Sequence, residues 1–130
     1  MTARDPPVAH RMTGLFARLI GRGRPDAETV AAQVAAAIAR VPGVVDEQVG
    51  YNHLQYSAGA LSGVVDLDAA VTFDDVLRAA HAALVEQLGD DADRVVVYLS
   101  GRTADGHAVE PDAFGLPQRP TGTDLRRRYA

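Results

Sequence analysis

Apolar residues recur at regular spacing through the central part of the chain and predict a helix followed by two strands. The helix is predicted to begin after Asp26, a favourable N-cap residue, and to end at Pro42-Gly43. Residues 44–51 and about 60–70 then alternate between apolar and polar positions, as half-buried strands do. The residues predicted to face inward are Val30, Val34, Ile38 and Val41 on the helix, then Val45, Val49, Tyr51, Leu61, Val65 and Leu67 on the strands.

A second helix and a third strand follow. Thr72 is predicted to cap this helix, with Asp75 completing a short capping box, and Gly89 is predicted to close it. Residues 94–99 are apolar on both faces, which predicts an interior strand, and Asp105-Gly106 predicts a hairpin that returns over residues 107–110. The apolar stripe predicted for the second helix consists of Phe73, Leu77, His81, Leu84 and Leu88.

This order of elements predicts an α+β fold of ferredoxin-like αββαβ type, without the first strand of that fold. A strand-helix-strand connection is right-handed, so the strands near Val65 and Val97 should be parallel, with both helices on one face of a small mixed sheet. An extra amphipathic helix is predicted before this core, and the edge hairpin near the C-terminus after it.

The charge is divided unevenly along the chain and suggests three parts. Residues 1–24 carry five arginines and one aspartate, a net +4, whereas residues 25–116 carry a net −11 and residues 117–130 a net +3. An acidic body repels phosphate backbones, so we do not expect a nucleic-acid partner. The last part contains Pro117 and Pro120 and is predicted to be an extended, basic tail.

The basic first part contains a stripe of five apolar residues at helical spacing. A helix this short is marginal unless its apolar face packs on something, so we expect it to dock on its own chain, on a partner or on a membrane surface. Protein docking is the interpretation we favour for the stripe, which consists of Met12, Leu15, Phe16, Leu19 and Ile20.

The segment Val41-Pro-Gly-Val-Val45, a helix end that leads into a strand, resembles the start of several small αββαβ modules. Among them are heavy-metal-associated domains and the cytoplasmic domain of cation-diffusion-facilitator transporters. The resemblance to the transporter domain extends over residues 30–99 and implies a metal-binding role for His81, which lies where that family often has a metal ligand. Asp66, Asp68 and Tyr98 stand where the rest of a ligand set would be needed, so the ligand set itself is not matched.

Other candidate chemistry is sparse. The chain has no cysteine, which excludes thiolate metal sites, disulfides and cysteine nucleophiles, including the CxxC motif of heavy-metal-associated domains. It has no phosphate-binding loop, no Gly-x-Ser-x-Gly elbow and no His-Glu-x-x-His pair. We therefore expect no cofactor, and we keep His81, Asp66 and Asp68 only as weak metal candidates. A histidine at the edge of the core is the commoner explanation for His81, and solvent exposure is the commoner explanation for Asp66 and Asp68.

Three functions remain open. The first is a non-enzymatic protein-binding or assembly module, homo-oligomeric, in which Val64, Val96 and Tyr98 form an apolar patch on the sheet face opposite the helices. The second is a regulatory domain that senses a small ligand or a cation, and the third is a small enzyme. No apolar stretch approaches the roughly 20 residues of a membrane-spanning helix, so we expect a cytoplasmic protein.

Overall fold

The computed structural model describes residues 25–55 and 58–130 of the chain. The amphipathic helix predicted within residues 10–22 lies outside this range. The described part contains helices α1 (Ala27–Ala39), α2 (Thr72–Leu88) and α3 (Gly122–Tyr129) and strands β1 (Val44–Asn52), β2 (Ala60–Leu67), β3 (Val96–Thr103) and β4 (Ala108–Val109). Short 3-10 helices cover Gly89–Arg94 and Pro111–Phe114.

The four strands form one mixed sheet in the order β1-β2-β3-β4. β1 is antiparallel to β2, β2 is parallel to β3, and β4 returns antiparallel along β3. The predicted α+β class, the parallel pairing of the strands near Val65 and Val97, and the edge hairpin are thereby confirmed. β2 and β3 are direct neighbours joined by α2, so β3 lies inside the sheet, as its apolar character predicted.

One core fills the space between the helices and one face of the sheet. Asp26 caps α1 as predicted, with its Oδ1 accepting a hydrogen bond from the Thr29 amide at 2.8 Å. The predicted stripe of α1 is buried up to Ile38, and that of α2 up to Leu84. These side chains pack in one cluster with Leu61, Val65, Leu67, Val97 and Leu99 from the sheet.

A β-bulge in β1 changes the direction of one predicted core residue. The ladder pairs Val44 with Leu67 but Asp46 with Asp66, which leaves Val45 as the extra residue. Its side chain is 72% exposed, so the prediction that Val45 faces inward is wrong. Beyond the bulge the alternation proceeds as predicted, and Tyr51 is buried.

The start of α2 also differs from the prediction. Val71 occupies the N-cap position, and Thr72 is the first helical residue. The Thr72 hydroxyl donates to Asp68 Oδ1 at 3.0 Å instead of capping the helix, and Asp75 pairs with Arg78. The capping box is therefore wrong, although the helix itself begins where it was predicted.

The largest correction concerns residues 117–130, which do not form an extended tail. Residues 120–122 run beside the start of β3, where the Val97 amide donates to the Pro120 carbonyl at 2.8 Å and the Gly122 amide donates to the Val95 carbonyl at 2.9 Å. α3 then packs against α2 and the 3-10 helix at 89–94, with Leu125 completely buried. Its N-terminus carries a capping box between Thr121 and Asp124.

Within the described ranges, no helix is long and apolar enough to cross a membrane.

Candidate functional site: the open face of the sheet

The sheet face opposite α1 and α2, here called the open face, gathers the outward-pointing residues of three strands. Strand alternation and the pairing register place these residues in rows that run across β1, β2 and β3. One row contains Gly50, Ser62 and Tyr98, the next contains Gln48, Val64 and Ser100, and a third contains Asp46, Asp66 and Arg102.

The three residues of the predicted apolar patch, Val64, Val96 and Tyr98, lie on this face. Val96 and Tyr98 are two residues apart on β3 and therefore share a face, and Val64 on β2 pairs with Ser100 in the adjacent row. All three apolar side chains are half-buried. The Arg119 guanidinium lies 5.0 Å from the centre of the Tyr98 ring, at the distance of a cation–π contact. The Arg119 guanidinium thus places a cation beside the aromatic residue of this patch.

A charged row borders the patch at the other end of the strands. Asp46 and Asp66 are directly opposed across the β1–β2 ladder, an arrangement of like charges that destabilises a sheet. Arg102 offsets it from β3, where its Nε lies 2.9 Å from Asp66 Oδ1. Asp46 remains exposed, and its Oδ1 accepts a hydrogen bond from the Glu47 amide at 2.9 Å.

The weak metal candidates do not converge. Asp66 pairs with Arg102, Asp68 accepts a hydrogen bond from Thr72, and His81 lies in the core on α2, on the far side of the sheet. In the part of the chain that the structure describes, no group of three or more His, Asp or Glu side chains could hold a metal ion.

His81 is nevertheless unusual for a core residue. It is 5% exposed, and its buried Nε2 has no hydrogen-bond partner among the described residues. Burial lowers the pKa of His81 below its ordinary value, because the charged imidazolium would lose its hydration; nearby Asp93 opposes this effect, and Arg126 adds to it. Since the ring is enclosed by the protein, it is suited to a structural role rather than to contact with a substrate.

Sequence reasoning missed several residues of the open face. Strand alternation could have placed Asp46 and Arg102 on the outward face, but only the pairing register puts them in one row. Arg119 was assigned to a tail and could not be linked to Tyr98. The five apolar residues predicted to bind a partner from Met12 to Ile20 lie outside the described residues.

A comparison of the chain with protein-family models, with curated proteins and with solved structures found no match.

Proposed function

We propose that this protein is a binding module that self-associates by packing the open face of its sheet against the open face of a second copy. The observation that carries the proposal is the distribution of charge and side-chain size across the rows. Asp46 and Arg102 carry opposite charges at the two outer strands of one row. Gly50 and Tyr98, the smallest and the largest side chains of the face, occupy the same two strands of another row.

A twofold axis that lies between the two sheets, above β2 and parallel to the strands, would match the opposite charges and the different side-chain sizes. It would place β1 of one copy over β3 of the other while keeping each row over itself. Asp46 would then lie opposite Arg102 of the second copy, and Tyr98 would lie over Gly50, where no side chain obstructs the ring. Each contact would occur twice, as in any isologous interface, and two sheets aligned in this way pack about 10 Å apart.

The size of the face indicates a weak dimer. Its three strands span roughly 14 Å in the hydrogen-bonding direction, and its three rows span roughly 20 Å along the strands. That area is below the roughly 800 Å² per partner of a standard interface, so we expect a concentration-dependent association. The predicted apolar stripe within residues 10–22 would enlarge the interface if it docks at the same surface.

Charge reversal tests the proposed axis. Asp46→Arg places two arginines opposite each other in the dimer, and Arg102→Glu places two acids opposite each other, so each variant alone should sediment as a monomer at concentrations where the unmodified protein dimerises. A mixture of the two variants restores both pairs and should form a heterodimer. Glu86→Arg, which makes the same charge change on the exposed side of α2, is the matched control and should dimerise normally.

Size complementarity gives a second, independent test. Gly50→Phe fills the space into which the second copy's Tyr98 would fit and should abolish the dimer, whereas Tyr98→Ala should weaken it. The proposal is wrong if sedimentation velocity shows the same association for the unmodified protein and for the charge and size variants. If deletion of residues 1–24 alone abolishes association, the apolar stripe rather than the open face joins the copies.

Three other expectations from the sequence concern the ferredoxin-like fold, a cation-sensing role and a cytoplasmic location. Ferredoxin-like folds are built on a split βαβ unit, whereas β2 and β3 here are direct neighbours, so the functional proposal does not draw on that fold relationship. The cation-sensing role implied by the transporter-domain resemblance has no ligand set among the described residues. A cytoplasmic location fits a protein-binding module and can be checked by fractionation.

A further inference from the structure

The outer side of the helix layer, which faces away from the sheet, is apolar. α1 contains one charged residue, Glu28, among its 13 residues, and seven of the others are alanines. Since Val30, Val34 and Ile38 are buried in the core, the side of α1 that faces away from the sheet presents mainly alanine. On α2, Val85 is 41% exposed. A helix at a protein surface normally carries charged residues on its outer side, so this surface is typical of a helix that another element covers.

A groove of about 370 Å³ separates α1 from α2. The two helices are antiparallel, because each folds back along the strand to which a four-residue turn joins it, α1 along β1 and α2 along β2, and these strands are antiparallel. Gln33 and Glu86 therefore lie at one end of the groove, and Arg40 lies at the other. The walls between these ends are small side chains, Ala37, Ala79, Ala82 and Ala83.

We propose that the helix predicted within residues 10–22 docks in this groove, antiparallel to α1, with its apolar stripe against the alanine walls. The stripe from Met12 to Ile20 would be roughly 12 Å long as a helix, and α1 from Gln33 to Arg40 is roughly 10 Å long. Large apolar side chains would thus fill a groove of matching length whose own side chains are small. The groove and the open face lie on opposite sides of the sheet, so the proposal does not depend on self-association.

The connection to α1 favours this segment over a second copy or another partner. Residues 21–25 separate the stripe from Asp26, the N-cap of α1. Five residues can span roughly 17 Å, more than the roughly 8–10 Å between the axes of two packed helices. Antiparallel helices joined by loops of about two to five residues are a common arrangement. Because the segment is tethered beside the groove, its effective concentration there exceeds that of a free partner.

The charges favour the same orientation. Antiparallel docking would bring Arg18 and Arg22 to the end of the groove that carries Glu86, and Glu28 lies near the same end of α1. Both glutamates are exposed, so these pairs would select the orientation and add little to the stability. At the other end, the long side chain of Arg40 is exposed and can extend into solvent beside the docked helix.

Spin labels on the full chain test where the segment binds. The chain has no cysteine, so Ala82→Cys provides a single attachment site in the groove, and Ser62→Cys provides one on the open face. We expect the label in the groove to increase the relaxation rates of the Leu15, Phe16 and Leu19 amides at least tenfold more than the label on the open face does. Isotope-labelled chains mixed with an excess of spin-labelled, unlabelled chains should show no such increase, because the docking is within one chain.

A blocking variant tests the groove itself. Ala82 is exposed, so Ala82→Arg should keep the fold, which the amide spectrum of residues 25–130 checks, while its side chain occupies the groove. We expect the amide hydrogens of residues 12–20 to exchange at least tenfold faster in this variant. Ala104→Arg, the same change at an exposed turn, should leave their exchange unchanged.

Four outcomes would overturn the proposal. Relaxation caused only by the open-face label would place the segment on the open face, and relaxation caused by neither label would leave the segment to an external partner or a membrane. Relaxation seen in the mixed sample would assign the groove to the segment of a second copy. Unchanged exchange in Ala82→Arg would show that the groove is not the site. Asp46→Arg tests the open-face dimer separately, since it should leave the effect of the groove label unchanged.

Discussion

Arg128 and Asp74 lie 54 positions apart in the sequence, and their side chains meet in an ion pair that attaches α3 to the start of α2. Arg128 Nε and Nη2 lie 3.1 and 3.0 Å from Asp74 Oδ1, and the Tyr129 hydroxyl donates to the same oxygen at 2.7 Å. Partial burial by itself would raise the pKa of Asp74, but the hydrogen bonds from Tyr129 and Arg128 outweigh it and hold that pKa below its ordinary value.

Removal of this contact should therefore change how stability depends on pH. A carboxyl group with a lowered pKa in the folded state stabilises the fold above its unfolded pKa, near 3.8, and this contribution is lost as the pH falls through the folded value. We expect Arg128→Ala to lower the melting temperature at neutral pH and to make acid unfolding below about pH 3.8 less steep. Arg127→Ala, at an exposed neighbouring position, should change neither property.

Leu125 should be as important to stability as a core residue of α2. It is fully buried, so Leu125→Ala should lower the free energy of unfolding by roughly 2–5 kcal/mol, as should Leu84→Ala on α2. Urea denaturation followed by circular dichroism measures both values. Removal of residues 117–130 should lower the melting temperature, because the buried contacts of α3 are lost. A truncated chain with an unchanged melting temperature would show that α3 is dispensable.

Gly122 should not tolerate a side chain. A Cβ atom at this position would lie 1.7 Å from the Ala92 carbonyl oxygen, so α3 could stay in place only if the backbone moved. We expect Gly122→Ala to destabilise the protein by about 1–3 kcal/mol or more, measured by thermal unfolding. Gly50→Ala is the matched change at a position with no atom within 4 Å of the added methyl group, and it should have little effect on stability.

His81 should make the protein sensitive to mild acid. Because its pKa is lower in the folded state, the unfolded chain binds more protons as the pH falls below about 6.5, and stability should decrease until the folded pKa is reached. The charged groups that act on the ring are Asp93 of the 3-10 helix and Arg126 of α3. Chemical denaturation at a series of pH values between 7.5 and 4.5 measures the slope.

His81→Leu removes the titrating group and should flatten this part of the stability profile. It also removes the buried Nε2 without a partner, so we expect the stability at pH 7 to be maintained or raised. His53→Gln changes an exposed histidine in the loop after β1 and should keep the slope of the unmodified protein. A slope that persists in His81→Leu would assign the acid sensitivity to other groups.

The amino-acid sequence alone determined the two large helices and the strands that form the sheet. Their signals are local, because a stripe such as Val30, Val34 and Ile38 buries one face of a helix whatever it packs against. The parallel pairing of β2 with β3 also followed from the sequence, because the right-handed crossover rule leaves one arrangement for a strand, a helix and a strand. The hairpin at Asp105-Gly106 followed from turn chemistry.

Only the tertiary structure decided the rest. α3 is eight residues long and too short to be stable alone. Its capping box at Thr121 and Asp124 could have been predicted from the sequence. The burial of Leu125 and the pairing of Arg128 with Asp74 depend on residues that are far away in the sequence. The bulge at Val45 likewise depends on the register with β2. The charged row of the open face arises where three strands meet, and periodicity along one strand contains no information about which residues of another strand lie beside it.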